Sequence, residues 1–268
     1  MRIKVVVVLA LALATLLAGA HAQEHTSPGQ RWMISQDFVK PAMAEQYETA
    51  VREFLAMLKQ NNISNPMFTG YTFQSTDFCY TTATPIGNWS DLDKMNTEMP
   101  EVEQKIGKQR IDDFTRRMGN AIDHSSFMSA RELPEISYHP TQSAPNLNEK
   151  FFVHYDLFYI TPGRHDDAIE IAKAWKKLYE THQIPQGYTV FSVGFGTELP
   201  LIIVERTAKT QAEYVAQMDQ ETRTFGGAQK QLAQRWNEIT RRYESRNAYF
   251  RPDLSYMPNQ PTPQPVSK

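Results

Sequence analysis

The chain has 268 residues, with 28 Lys and Arg against 30 Asp and Glu and a net charge of -2. That balance excludes a protein that works by neutralising nucleic-acid phosphates, for which a basic stripe is needed. One cysteine, Cys79, excludes an internal disulfide framework. No CxxC, HExxH or Cys/His cluster offers a metal-ligand spacing, so neither a metal nor a cofactor is expected.

The chain opens on the basic stretch Met1-Arg2-Ile3-Lys4, then an apolar run from Val5 to Ala18, then small residues at Ala20 and Ala22. This is the order of a secretory signal peptide. The apolar run is shorter than the roughly 20 residues that span a bilayer. Cleavage after Ala22 is expected, which gives an exported, periplasmic or extracellular protein with no membrane anchor.

Trp32 to Val39 reads as a strand, and Pro41 opens a helix in which Tyr47, Ala50, Val51, Phe54, Leu55 and Leu58 recur at three- and four-residue steps. Met67 to Gln74 and Phe78 to Thr82 read as two strands. A short helix follows near 89–97, then a longer one, and a last strand near Ser126–Arg131. The same order recurs downstream. Phe151 to Ile160 is a strand, and Pro162 opens a helix with Ala168, Ile171, Trp175, Leu178 and Tyr179 on one face. Gly187 to Phe195 and Leu201 to Arg206 form a strand pair, followed by a helix near 210–221. A second helix is expected to hold Leu232, Trp236, Ile239 and Tyr243, with a last strand near Asn247–Arg251.

Two heptads close these series. Pro134 to Pro140 reads PEISYHP and Pro252 to Pro258 reads PDLSYMP, with four of seven positions identical. Phe114-Thr115-Arg116-Arg117-Met118 matches Ile239-Thr240-Arg241-Arg242-Tyr243 in the same order. The expected organisation is therefore two diverged copies, 31–138 and 151–256, joined by a linker at 139–150 and followed by a Pro-rich disordered tail at 257–268. Each copy reads βαββαβ, the ferredoxin-like order, so the fold class is α+β.

A single sheet of this kind has helices on one face and leaves the other bare, so two must cover each other as an intramolecular α/β barrel. With the stretches VKPAMAEQYETAVREF and ITPGRHDDAIEIAKAW, the chain resembles the dimeric α/β-barrel superfamily, which includes antibiotic-biosynthesis-monooxygenase-like and NIPSNAP-like domains. What the resemblance implies is a shared fold with scattered functions: cofactor-independent oxygenation, haem binding or degradation, and domains with no known activity.

Candidate site residues come from strand parity. One face of 151–160 carries Phe151, Val153, Tyr155, Leu157 and Tyr159; the other carries Phe152, His154, Asp156, Phe158 and Ile160. In the first strand Ser35 and Asp37 occupy the corresponding mixed face. That face is expected to border the enclosed space, where His154 and Asp156 would hydrogen-bond and abstract a proton from a phenol or enol. Asp37, Ser35 and Tyr155 are the expected ligand contacts. The alternative for His154 and Asp156 is a purely structural hydrogen-bonding role. For haem only His124, placed near a helix end, could be argued.

The functional expectation is binding of a small hydrophobic or aromatic molecule in the barrel. Two alternatives remain: a cofactor-independent monooxygenase or isomerase using His154 and Asp156, and a structural or partner-binding protein with a filled barrel. Cavity volume separates them, because a filled barrel leaves only the last. The sequence sets neither ligand identity nor oligomeric state.

Overall fold

The computed structural model describes residues 29–140 and 145–258; the leader, positions 141–144 of the linker and the tail beyond Pro258 lie outside the described residues. Eight antiparallel strands close into one barrel in the order β1-β3-β2-β8-β5-β7-β6-β4. The strands are β1 (Arg31–Val39), β2 (Tyr71–Ser75), β3 (Cys79–Ile86), β4 (Ile122–Glu132), β5 (Phe152–Ile160), β6 (Thr189–Phe195), β7 (Leu201–Ala208) and β8 (Thr240–Phe250). Outside them lie α1 (Ala44–Gln60), α2 (Ser90–Ile106), α3 (Lys108–Ala121), α4 (His165–Thr181), α5 (Gln211–Phe225) and α6 (Gly227–Ile239). Among the described residues no helix is long and apolar enough to cross a membrane.

The helices form where apolar periodicity allows. In α4 the buried residues are Ala168, Ile171, Ala172 and Tyr179, one stripe at helical spacing. They pack with Trp236 and Ile239 of α6 on the outer face of the barrel, around Ile160, Val190 and Ile202. A capping box starts α5: Thr210 Oγ1 accepts the Glu213 N–H at 3.1 Å, and Glu213 accepts the Lys209 N–H at 2.9 Å.

Four strands from each half pair among themselves, as β4-β1-β3-β2 and β8-β5-β7-β6. Two seams join them. At one, β2 pairs with β8 through Phe73↔Phe250, Gln74↔Tyr249 and Ser75↔Ala248. At the other, β4 pairs with β6 from Ser129↔Phe195 to Glu132↔Phe191. Gly196 holds φ +92° beside this second seam, and a Cβ there would stand 2.0 Å from the Phe127 carbonyl, so only glycine lets the chain turn so close to β4.

The heptads secure the seams. Ser137 Oγ accepts the Val190 N–H at 2.9 Å and donates to the Leu133 carbonyl at 2.9 Å. Ser255 Oγ likewise accepts the Thr72 N–H at 2.9 Å and donates to the Arg251 carbonyl at 2.8 Å. The Tyr138 hydroxyl donates to the Ile184 carbonyl at 2.9 Å, and that of Tyr256 to the Ile63 carbonyl at 2.6 Å. Tyr138 also bridges to Tyr188 and Tyr256 to Gly70 through the backbone. Each heptad thus ties its own half to the start of a strand in the other.

Several element boundaries differ from the sequence expectation. The last strands begin at Ile122 and Thr240, well before Ser126 and Asn247. Tyr243 is therefore a strand residue, and Thr240-Arg241-Arg242 opens β8 while Thr115-Arg116-Arg117 lies inside α3. The two Thr-Arg-Arg triplets are not structural equivalents. In β8 charged residues fall on both parities, which erased the apolar alternation that marks a strand. Pro41 opens a 3-10 turn rather than the α-helix, which starts at Ala44, and Pro162 lies in a turn before α4, which starts at His165.

Replacing Ser137 or Ser255 by Ala leaves a buried strand N–H without its acceptor. Each change is expected to cost about 1–3 kcal/mol in urea unfolding. The double variant should show close to the sum, because the two serines share no partner.

Candidate functional site

On β5 the two faces separate cleanly. Phe151, Tyr155 and Leu157 line a cavity of about 480 Å³ inside the barrel. Asp156 and Phe158 instead line a smaller cavity of about 190 Å³ between the sheet and helices α4 and α6. The mixed face carrying His154 and Asp156 therefore turns to the helices, and the apolar face turns to the enclosed space. This corrects the expected orientation. The physical reason is that the barrel encloses the face that most needs removal from water, and polar groups are satisfied under the helices.

The expected pair does form. His154 Nε2 lies 3.1 Å from Asp156 Oδ1, and His154 Nδ1 lies 2.6 Å from Asn247 Oδ1. The imidazole also stacks on Tyr214 of α5 at 4.7 Å between centroids. Asp156 is buried and receives two more hydrogen bonds, from the Tyr243 hydroxyl at 2.6 Å and from Arg206 Nη1 at 3.2 Å. Burial pushes the Asp156 carboxyl up, but the hydrogen bond from His154 and the Arg206 charge outweigh it, so the acid is held below its usual value. For His154, burial works against the charged form, and the hydrogen bonds to Asp156 and Asn247 outweigh it and raise its pKa. Three donors thus hold this carboxylate, two on Oδ1 and one on Oδ2.

Asp37 lies on the same outer side in the first half. It accepts from the Tyr47 hydroxyl at 2.9 Å and from Ser125 Oγ at 2.6 Å. Ser35, two residues earlier on the same parity, is not among the residues lining the barrel cavity, so neither residue meets Tyr155 there. Of the five expected site residues, only Tyr155 faces the enclosed space. His124 lies just past the end of α3, as an exposed residue of β4 stacked on Phe38 at 4.2 Å and held by Asp123 at 2.8 Å.

The barrel cavity is lined mainly by flat or branched apolar side chains, among them Trp32, Tyr71, Phe73, Phe191 and Ile203. Trp32 meets Tyr71 edge-on at 5.8 Å, and Phe73 meets Tyr155 edge-on at 6.2 Å. Few polar groups interrupt this wall. Gln36 is held by Thr81 at 3.3 Å and Ser126 at 3.2 Å. Trp32 Nε1 is a buried donor with no partner.

Glu205 is the group that sequence reasoning missed. It stands directly across from Tyr155 on β5 and from Thr189 on β6, on the cavity side. Its open surface is to the cavity. Burial pushes its carboxyl up to about 7, only partly offset by the Tyr155 phenol opposite it and the His139 charge. Burial likewise holds the Tyr155 phenol well above its usual value, so it stays a donor at any physiological pH. The signal was present in the sequence, since Leu201, Ile203 and Glu205 share one parity and place a carboxyl on an otherwise apolar strand face.

The fold raises the question of an iron porphyrin, and the residues present do not fit one. The helix-side cavity is lined by no His, Cys or Met. The barrel cavity offers Met128, packed in the apolar cluster with Leu157 and Val193, His139, which lies at the 51% exposed end of an ion pair with Glu132, and Cys79, whose thiol burial pushes up and away from the ligating thiolate. Among the described residues no group of three or more His, Cys, Asp or Glu could hold a metal ion.

No family model and no curated protein matches the chain. Solved structures do. An anthrone oxidase-like protein superposes with a TM-score of 0.56 at 14% identity, over 84% of this chain and 92% of that one. A chlorite dismutase mutant from Candidatus Nitrospira defluvii gives 0.53 at 9% identity, over 85% and 94%. A monooxygenase-like protein from Fusobacterium nucleatum gives 0.52 at 10% identity, over 84% and 94%. At such identities the likeness establishes the ferredoxin-like α+β barrel fold and nothing about activity.

Asp156→Ala should destabilise the protein by about 3–5 kcal/mol at pH 7, because it strands Arg206 beneath the helices. Since the folded carboxyl titrates below the unfolded one, its contribution is present above about pH 4 and is lost as pH falls through the folded value. The difference between variant and wild type in urea unfolding should accordingly shrink on acidification.

Proposed function

We propose that this protein binds one small, flat, hydrophobic or aromatic molecule inside the barrel. The observation that carries the reading is the 480 Å³ cavity walled by Trp32, Tyr71, Phe73, Tyr155 and Phe191. A volume of this order, apolar with few polar groups, is what small-molecule sites present. An open cavity of that size counts against the reading in which the barrel is filled and only the surface acts. The expected ligand contacts then narrow to Tyr155, because Ser35 is not in the cavity wall and Asp37 is engaged by Tyr47 and Ser125 outside it.

A second reading is catalysis without a cofactor on the bound molecule, in keeping with the anthrone oxidase-like and monooxygenase names among the structural neighbours. The specific observation favouring it is a carboxyl poised near neutrality in the cavity wall. In this reading His154 and Asp156 support the sheet from behind.

The barrel is further proposed to descend from duplication of a βαββαβ half. What supports this is the matched role of Ser137 with Ser255 and of Tyr138 with Tyr256, each pair making the same hydrogen bonds at equivalent seams. We also propose export directed by residues 1–22; a secreted product whose mass begins at Gln23 is the expected result.

Binding is tested by titrating naphthalene into the protein and following the tryptophan fluorescence. Ala83 and Thr81 line the cavity, so Ala83→Phe and Thr81→Phe place a ring in the ligand's space. Both should weaken binding at least about tenfold, which corresponds to 1.4 kcal/mol or more. Unchanged affinity in variants with a native circular dichroism spectrum would show that naphthalene binds elsewhere.

A further inference from the structure

Glu205 is anomalous for a carboxyl. No Arg or Lys contributes to its titration among the described residues, and its neighbours are the Tyr155 phenol, Glu132 and His139. Glu132 is itself paired with His139 at 3.4 Å, at the cavity mouth. Arg246 lines the same cavity but sits with Glu244 on its own strand at 3.4 Å. Thr189, across from Glu205 on β6, carries no charge. An acid placed this way destabilises the fold when it ionises, since its folded pKa lies above its unfolded one. The stability it contributes as a neutral acid is full below about pH 4 and is lost as pH rises through about 7. Structural roles do not need such a group, because Gln would fill the same space without the penalty.

We propose that Glu205 is the base of an enolising site in the barrel, acting on a flat cyclic ketone with acidic α-protons, while Tyr155 donates its hydroxyl hydrogen to the carbonyl oxygen. The inference rests on the cavity-binding reading and goes beyond it by naming the chemistry. In the step, the α-C–H bond breaks and its proton moves to a Glu205 carboxylate oxygen. The electron pair forms the C=C bond, and the carbonyl π pair moves to oxygen, where the Tyr155 hydroxyl stabilises it. Return of the proton to the same carbon, or to a conjugated one, completes exchange or isomerisation with no oxidant consumed. A carboxylate and a phenol in an apolar pocket are sufficient for this chemistry. A base whose pKa lies near the working pH is also the most efficient one. Tyr155 suits the donor role because it remains protonated and stands directly opposite the carboxylate.

The test uses 2-tetralone in D2O, with loss of its α-proton signals followed by NMR and its binding followed separately by tryptophan fluorescence. Wild type should exchange these protons well above the buffer rate, with activity rising through about pH 7 and then levelling, as expected if the ionised form of Glu205 acts. Glu205→Gln should lose about a hundredfold or more of that rate, while binding 2-tetralone within about threefold of wild type, a change under 1 kcal/mol. The same variant should melt higher than wild type at pH 8 and equally at pH 4, which confirms that it folds and that the buried charge is gone. Tyr155→Phe should slow exchange, because the enolate oxygen loses its hydroxyl donor in the cavity wall. Bound 2-tetralone with no exchange above buffer, or Glu205→Gln exchanging like wild type, overturns this inference and leaves the binding reading intact. Failure of 2-tetralone and naphthalene alike to bind overturns the cavity reading itself.

Discussion

Neither four-stranded half of this molecule can stand without the other. Each has one face covered by helices and one apolar face bare, and each ends in strands whose outer N–H and C=O groups need partners. Closure answers both demands together. The pairing of β2 with β8 and of β4 with β6 removes the free edges, and the bare faces become a single interior. Ser137 and Ser255 matter out of proportion to their size, because each satisfies a buried N–H where one half begins a strand beside the other.

The enclosed interior is not filled. Leu157, Tyr159, Val193, Leu201 and Ile203 pack together as one cluster, and Phe151, Val153 and Phe250 as another. A sizeable cavity remains within this apolar interior. That combination explains the behaviour of Glu205. The cavity wall withholds water from the carboxyl, and the Tyr155 phenol and the His139 charge offset only part of that cost. The contrast with Asp156 is instructive, since the two acids lie on adjacent strands. Asp156 meets Arg206, His154 and Tyr243 and is held below its usual value, whereas Glu205 faces the Tyr155 phenol across the cavity wall and is pushed up to about 7. Environment, not residue type, assigns them different work.

The helix-facing network has its own consistency. His154, Asp156 and Arg206 bridge β5 and β7, and Tyr243 and Asn247 reach in from β8. Tyr179 of α4 donates to Glu221 of α5 at 2.5 Å and lies 3.4 Å from Arg206. The network thus couples helix placement to strand register beneath an otherwise apolar layer. In the first half Asp37, Tyr47 and Ser125 make a smaller version, without a histidine or an arginine.

Much of the fold was legible in the residues themselves. The three- and four-residue apolar steps of Tyr47, Ala50 and Leu58, and of Ala168, Ile171 and Tyr179, set the helices, because a helix repeats its face at that interval. Period-two alternation set β1, β5 and β7 for the same reason. The closeness of His154 to Asp156 also followed from strand spacing alone. Alternation sorts side chains into two sets, but it carries no information on which set faces inward. Only the closing of the barrel decided that the apolar set of β5 lines the cavity and that His154 and Asp156 lie outside it. The early start of β8 was hidden in the same way, since Arg242, Glu244 and Arg246 occupy the half-buried parity that in β5 is apolar. Local sequence determined the elements and their two faces; long-range strand pairing decided inside from outside, and with it which acid meets the ligand.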